Sequence, residues 1–211
     1  MLLYSRALTL RGPQAETMAW AAEVTAYVNS KTDLEVSCWA GLYGMPFGTL
    51  SWSARVEGHA HLAAQAGSLG GDAAYAALIG RAADWIVGQG EDTMRSLVSG
   101  SMENVVPPPI GAVAGRNSAV IALGKVGEAM AWSIELAEYV SNLFGSPVRL
   151  FSDLYGTFGS VTWISVVADM AAVDRTQALS AGDAGYMQRI AAAGDLFVPG
   201  SGTAALLTRV A

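Results

Sequence analysis

Cysteine, histidine and positive charge are scarce in this chain of 211 residues. Cys38 is the single cysteine, so neither a disulfide nor a cysteine-based metal site forms within one chain. The residues beside it are neither histidine nor acid, and it reads as a small hydrophobe packed in a strand. Lysine and arginine total 12 against 18 acidic residues, for a net charge of −6. No basic cluster is present to track phosphates, so neither nucleic acid nor an anionic membrane surface is an expected partner. No uncharged apolar run reaches the roughly 18 residues of a membrane span. The start, Met1-Leu-Leu-Tyr-Ser-Arg6, lacks the apolar stretch of a signal peptide. A soluble, cytoplasmic protein is expected. Gly111-Ala-Val-Ala-Gly115 lacks the preceding strand and following lysine of a phosphate loop. No Gly-x-Ser-x-Gly elbow occurs, which removes the support for hydrolase chemistry. Apolar residues make up 52% of the chain, enough for a core and for an interface or internal cavity besides.

What is present is present twice. Met18-Ala-Trp20 returns as Met130-Ala-Trp132, and Leu42-Tyr43-Gly44 returns as Leu154-Tyr155-Gly156, both 112 positions on. Trp52 then matches Trp163, and Asp72-Ala-Ala-Tyr75 matches Asp183-Ala-Gly-Tyr186, at an offset of 111. Ordered matches at a near-constant offset mark a tandem duplication of one unit of about 100 residues.

Within the first unit, Leu3 to Leu10 reads as a strand, and Gly12-Pro13 breaks it ahead of a helix over 14–30. Trp20, Val24, Tyr27 and Val28 share one helical face, and Trp132, Leu136, Tyr139 and Val140 repeat it. Residues 34–42 and 49–57 alternate at period two and form a hairpin. A helix from His59 to Ala66 is followed by a short one that Asp72 caps, then a strand over 93–98. The order βαββαβ is the ferredoxin-like plan. The division predicted is 1–98 for the first unit, 99–117 for a Pro/Gly-rich linker and 118–211 for the second unit, which ends on a strand near Thr203 to Val210.

One such unit covers a single sheet face with its helices. Two units hide their bare faces by packing their sheets into one α/β barrel with the helices outside. A linker of about 18 residues spans roughly 60 Å when extended, so the closure is possible within one chain. Trp20, Trp52, Trp132 and Trp163 are expected at equivalent buried places between helix and sheet.

The pattern resembles the dimeric α/β-barrel superfamily, and within it NIPSNAP-like domains. The likeness lies in Leu10-Arg-Gly12 before a Trp-bearing helix and in Thr49-Leu-Ser-Trp52 after the strand that ends at Gly44. It continues in Leu62-Ala-Ala64 and in Asp72-Ala-Ala-Tyr75-Ala-Ala-Leu78. The resemblance implies a barrel chamber and, among activities, cofactor-free oxygenation, isomerisation or haem chemistry. Haem-binding members use a helical histidine. Here no histidine lies on a helical interior stripe and the second half has none, so haem chemistry is not expected.

Period two puts Glu35, Trp39, Ser51, Ser53 and Arg55 inside the barrel, with Tyr43 near its rim. It puts Arg149, Phe151, Asp153 and Thr162 inside from the second half, with Tyr155 near the rim. Arg55, Asp153 and Glu35 are the catalytic candidates: a guanidinium for a carboxylate or enolate, and two carboxylates as bases. Trp39, Tyr43, Ser51, Ser53, Arg149, Phe151 and Tyr155 are the ligand-binding candidates. The halves differ here, because Arg55 aligns with Val166 and Glu35 with Pro147 or its neighbours. Glu57, His59 and His61 alternate at a strand end and are candidates for a divalent metal, although no cofactor is expected. The function predicted is oxygenation, isomerisation or cyclisation of a small apolar or aromatic molecule in the chamber of a monomer or homodimer. The alternative is a non-catalytic binding or assembly protein.

Overall fold

A computed structural model describes residues 1–103 and 105–211. The first half runs β1 (Leu2–Leu10), α1 (Gln14–Lys31), β2 (Ser37–Tyr43), β3 (Thr49–Val56), α2 (His59–Gly70), α3 (Ala73–Gly80) and β4 (Ile86–Ser99). The second runs β5 (Val113–Val120), α4 (Val126–Phe144), β6 (Val148–Tyr155), β7 (Ser160–Val167), α5 (Met170–Gly182), α6 (Ala184–Ala192) and β8 (Thr203–Arg209). The fold is α+β: two ferredoxin-like βαββαβ units in tandem. Among the described residues, no helix is long and apolar enough to cross a membrane.

All eight strands close into one barrel in the order β1-β3-β2-β8-β5-β7-β6-β4, and every pairing is antiparallel. Packing sheet against sheet is therefore achieved edge to edge, through seams at β2·β8 and β4·β6. The repeated Leu-Tyr-Gly explains itself at these seams. Gly44 ends β2 at φ +73, where a Cβ would lie 1.9 Å from the Ala204 carbonyl oxygen of the neighbouring strand. Gly156 follows β6 at φ +121, against Thr93 on β4. At Gly44 only glycine combines positive φ with such an approach, and at Gly156 the positive φ alone favours it.

Several boundaries differ from the sequence reading. β5 begins at Val113, so residues 113–117 are strand rather than linker. Gly115 and the inward Arg116 break the apolar alternation that would have marked them. β4 starts at Ile86, seven residues early, because its exposed stretch Gly88–Asp92 carries no apolar pattern. α2 continues through Gly67 to Gly70, since a mostly exposed helix tolerates glycine at modest cost.

Asp72 caps α3 as expected, accepting from the backbone N–H groups of Ala74 at 2.9 Å and Tyr75 at 3.0 Å. Asp183 caps α6 in the same way. The tryptophans also repeat. Trp20 meets Trp52 edge-on at 5.8 Å, and Trp132 meets Trp163 edge-on at 6.0 Å. Trp20 Nε1 donates to the Leu78 carbonyl and Trp132 Nε1 to the Arg189 carbonyl. Trp20 and Trp52 are buried, whereas Trp132 and Trp163 are only half-buried. The cover differs: α3 buries Leu78 beside Trp20, while α6 buries no residue.

Truncating Trp20 to Ala is expected to cost about 3–5 kcal/mol and Trp132 to Ala about 1–3 kcal/mol. Denaturant titration of the two variants checks the order. Equal losses would mean that the second-half pair is as enclosed as the first.

Candidate functional site

The barrel interior is a chamber of about 170 Å³. Glu35, Trp39, Ser51, Ser53 and Arg55 line it from the first half, and Arg149 and Phe151 from the second. Thr162 is fully buried and shares a hydrogen bond with Ser118 at 2.9 Å. Asp153 lies behind the open lining, with its carboxylate on Arg95. Tyr43 and Tyr155 stand outside, both exposed at the strand ends. Tyr155 meets the ring of His59 edge-on, and Tyr43 borders a groove on the outer face of the second half. The two tyrosines are therefore apart from the chamber and from each other's surroundings.

Two ion pairs organise part of the charge inside the chamber. Arg55 binds Glu35 through Nη2 and donates from Nη1 to the Met102 carbonyl at 2.9 Å. Arg95 Nε donates to Asp153 Oδ1 at 2.9 Å, with both side chains nine-tenths buried. Burial pushes the Asp153 carboxyl above the usual range more than Arg95 and Arg116 pull it down. Arg149 Nε donates to the Ser101 carbonyl at 2.6 Å, and burial lowers its guanidinium, helped by the like charge of Arg55. The segment between the halves thus straps one end of the barrel, with Met102, Pro107 and Pro108 in the chamber wall. The Arg209 guanidinium holds the Pro108 carbonyl.

Arg95, Arg116, Ser5 and Ser37 also line the chamber and were missed in the sequence. Arg95 sits on a strand recognised only weakly, and Arg116 in the stretch assigned to linker. The alternation that located Arg55 extends to both once their strands are known.

The metal candidates do not converge. His61 Nδ1 accepts from the Glu57 backbone N–H at 3.2 Å, and its Nε2 faces Asp33 Oδ1 at 2.9 Å. His59 turns to Tyr155. The strand ends at Val56, so His59 and His61 fall two apart on a helix, where side chains diverge. Among the described residues, no group of three metal-ligating side chains comes together. Cys38 is buried, and burial pushes its thiol up to about 12, as an inert packing residue requires.

A second, larger cavity lies on the other side of the same sheet. It holds about 800 Å³ between the outer face of β1, β3 and β4 and helices α1, α2 and α3. Trp20, Trp52, Val24, Leu62 and Ile79 make its walls apolar. At its polar edge Arg6 grips Asp92 with two hydrogen bonds of 2.7 Å, and the Tyr4 hydroxyl donates to Asp92 at 3.1 Å. Arg6 holds the Asp92 carboxyl below the usual range, and burial pushes the Tyr4 phenol up to about 12. The register pairs Arg6 with Asp92 and Asn117 with Ala204, while Gly115 takes the place of Tyr4. Only the first half carries this cluster. Apolar walls hid the cleft from sequence reading, since they look like core.

Removing Asp153 as Asp153→Ala should destabilise the fold by about 3–5 kcal/mol, because Arg95 is then left buried and unpaired. The double variant Arg95→Met with Asp153→Leu should recover most of that loss in denaturant titration. No recovery would mean that the pair acts through a wider network.

No family profile matches the sequence, and no curated protein matches it. Solved structures do. A candidate monooxygenase from Fusobacterium nucleatum superposes at a TM-score of 0.70 with 10% identity, covering 100% of this chain and 92% of that one. A second candidate monooxygenase, from Lactobacillus acidophilus, gives 0.65 with 8% identity over 100% and 94%. An anthrone oxidase-like protein gives 0.67 with 11% identity over 100% and 91%. At these identities the likeness is one of fold: this chain has the dimeric α/β-barrel fold, with both ferredoxin-like units on a single polypeptide.

Proposed function

We infer that the protein is a small-molecule enzyme that oxygenates, isomerises or cyclises an apolar or aromatic metabolite without a tightly held cofactor. The observation that carries this reading is the first-half cleft. Its volume of about 800 Å³ falls in the range of small-molecule sites, and its aromatic walls meet one polar cluster. The sequence reading set the metabolite in the chamber, but size favours the cleft. A chamber of about 170 Å³ is near that of cavities known to admit a single benzene ring. In this reading Glu35, Arg55 and Asp153 serve the ion pairs of the chamber, and the reacting molecule lies outside the sheet.

The three reaction types share an enolate- or phenolate-like intermediate, and the cluster suits it. Tyr4 keeps its proton at neutral pH and, by turning it away from Asp92, offers it to a developing oxyanion. Arg6 supplies positive charge with N–H groups beyond the two that Asp92 uses. Asp92 is held ionised and is a weak base, so its part is to orient Tyr4 and Arg6. The descriptions of the structural neighbours, two candidate monooxygenases and an anthrone oxidase-like protein, support oxygenation among the three.

A second reading is a ligand-binding or assembly protein without catalysis, favoured by the ion pairs that engage Arg55 and Asp153. Dioxygen uptake with tricyclic phenolic ketones separates the two. Turnover by the wild type is expected, with kcat lowered about 10²–10³-fold in Tyr4→Phe and KM little changed. Full activity in Tyr4→Phe would remove the cleft cluster from the reaction. A ketone retained in native mass spectrometry but never transformed would establish the binding protein.

A further inference from the structure

We propose that the barrel chamber is a second, separate site, built to take a small aromatic monocarboxylate. The proposal starts from strand register. Arg116 on β5 pairs with Ile164 on β7, and Ile164 pairs in turn with Arg149 on β6. The two arginines therefore flank Ile164 in one row across three neighbouring strands, about 10 Å apart at their backbones. All three residues line the chamber. Both side chains rise from this wall, Arg149 toward Ser101 and Arg55 and Arg116 toward Arg95, so that a carboxylate between them would be reached from two sides.

The equivalent row in the first half is Ser5, Ser53 and Ser37, paired across β1, β3 and β2. These three also line the chamber. The duplication puts equivalent rows on opposite walls at one level. A cationic row thus faces a hydroxyl row. Trp39 Nε1 donates to Ser53 Oγ at 3.0 Å, and Arg95 Nη1 lies 3.5 Å from Ser5 Oγ.

The charge count leaves room for an anion. Four arginines line the chamber: Arg55, Arg95, Arg116 and Arg149. Glu35 answers Arg55 and Asp153 answers Arg95. Arg149 has a backbone carbonyl, and Arg116 has no ion-pair partner among the described residues. Glu91 on β4 is exposed, and both it and Asp153, which is held by Arg95, act on Arg116 only at a distance. Burial and the nearby Arg95 both work against the charge of Arg116. In a protein of net charge −6, the chamber carries two guanidiniums with no carboxylate in contact among the described residues. An enclosed cation of that kind is stabilised by a carboxylate that fits its fork.

The remaining walls choose the body of the ligand. Trp39, Phe151, Val166 and Leu207 are apolar, and two of them are aromatic. A volume of about 170 Å³ admits one ring with its carboxylate and excludes fused ring systems. This ligand is smaller than the metabolite proposed for the cleft, and the sheet stands between them.

Benzoate is the probe, with benzamide as its neutral counterpart and 1-naphthoate as its two-ring counterpart. Calorimetry on the full chain is expected to show benzoate binding at least tenfold tighter than either. Arg116→Met should weaken benzoate at least tenfold and leave the melting temperature unchanged or raised, since an unanswered buried charge is removed. Arg116→Lys should restore part of the binding. Tyr4→Phe should bind benzoate as the wild type does, which separates this site from the cleft. Equal binding of benzoate and benzamide would overturn the proposal, as would undiminished benzoate binding by Arg116→Met. A fall in the melting temperature of Arg116→Met with benzoate binding intact would assign Arg116 to the fold instead.

Discussion

The unpaired strand edge is the constraint from which this structure follows. A four-stranded ferredoxin-like sheet ends in two edges whose backbone donors and acceptors need partners. In the first unit these are β2 and β4, and in the second β6 and β8. Joining β2 to β8 and β4 to β6 satisfies both edges of both units, and the barrel that results has none. Register shifts lie at both seams and, within the first unit, in β1·β4 between Ala7 and Thr9. The register of β2·β8 shifts between Gly41 and Tyr43, and that of β4·β6 between Met94 and Arg95 and between Leu97 and Ser99. Such irregularities sharpen the twist where two sheets must become one.

Closure turns the sheet into a partition, and period two assigns each residue a side. On β3, Ser51, Ser53 and Arg55 face the chamber, whereas Trp52 packs with α1 through Trp20. Charge follows the same division. Inside, Arg95 and Asp153 meet at short range away from solvent, so that pair must be complete to be tolerated. Outside, Arg6 and Asp92 remain half-exposed and mutually bound at the edge of an apolar cleft. One eight-stranded wall therefore separates a small charged room from a larger apolar one.

Much of this was legible in the sequence, and the physical reason is the repeat. Equivalences such as Trp20 with Trp132 fixed the duplication, and the hairpins 34–42 and 49–57 alternated cleanly enough to place Arg55 and Trp39 inside. What failed did so where alternation is weak. β4 and β5 mix glycine with polar residues on both faces, and with them went Arg95 and Arg116. The metal candidates Glu57, His59 and His61 failed because the strand gave way to a helix within that very span. The cleft was invisible for another reason. Trp20, Val24 and Leu62 have the spacing of core residues, and no periodicity tells a filled helix–sheet interface from one that stands open.

The duplication also permits what a symmetric pair of identical chains does not. Two copies of one unit must present the same row on both walls. A chamber with Arg116 and Arg149 on one side would then repeat that row on the other, and four unanswered guanidiniums would face each other in one enclosed space. On one chain the second row was free to become Ser5, Ser53 and Ser37, which accept hydrogen bonds and carry no charge. The outer faces diverged in the opposite sense. The first half holds Tyr4, Arg6 and Asp92, and the second has Gly115, Asn117 and Ala204 in their places. The Arg6–Asp92 cluster is thus confined to the first half and the Arg116–Arg149 row to the second, a division closed to a barrel of two identical chains.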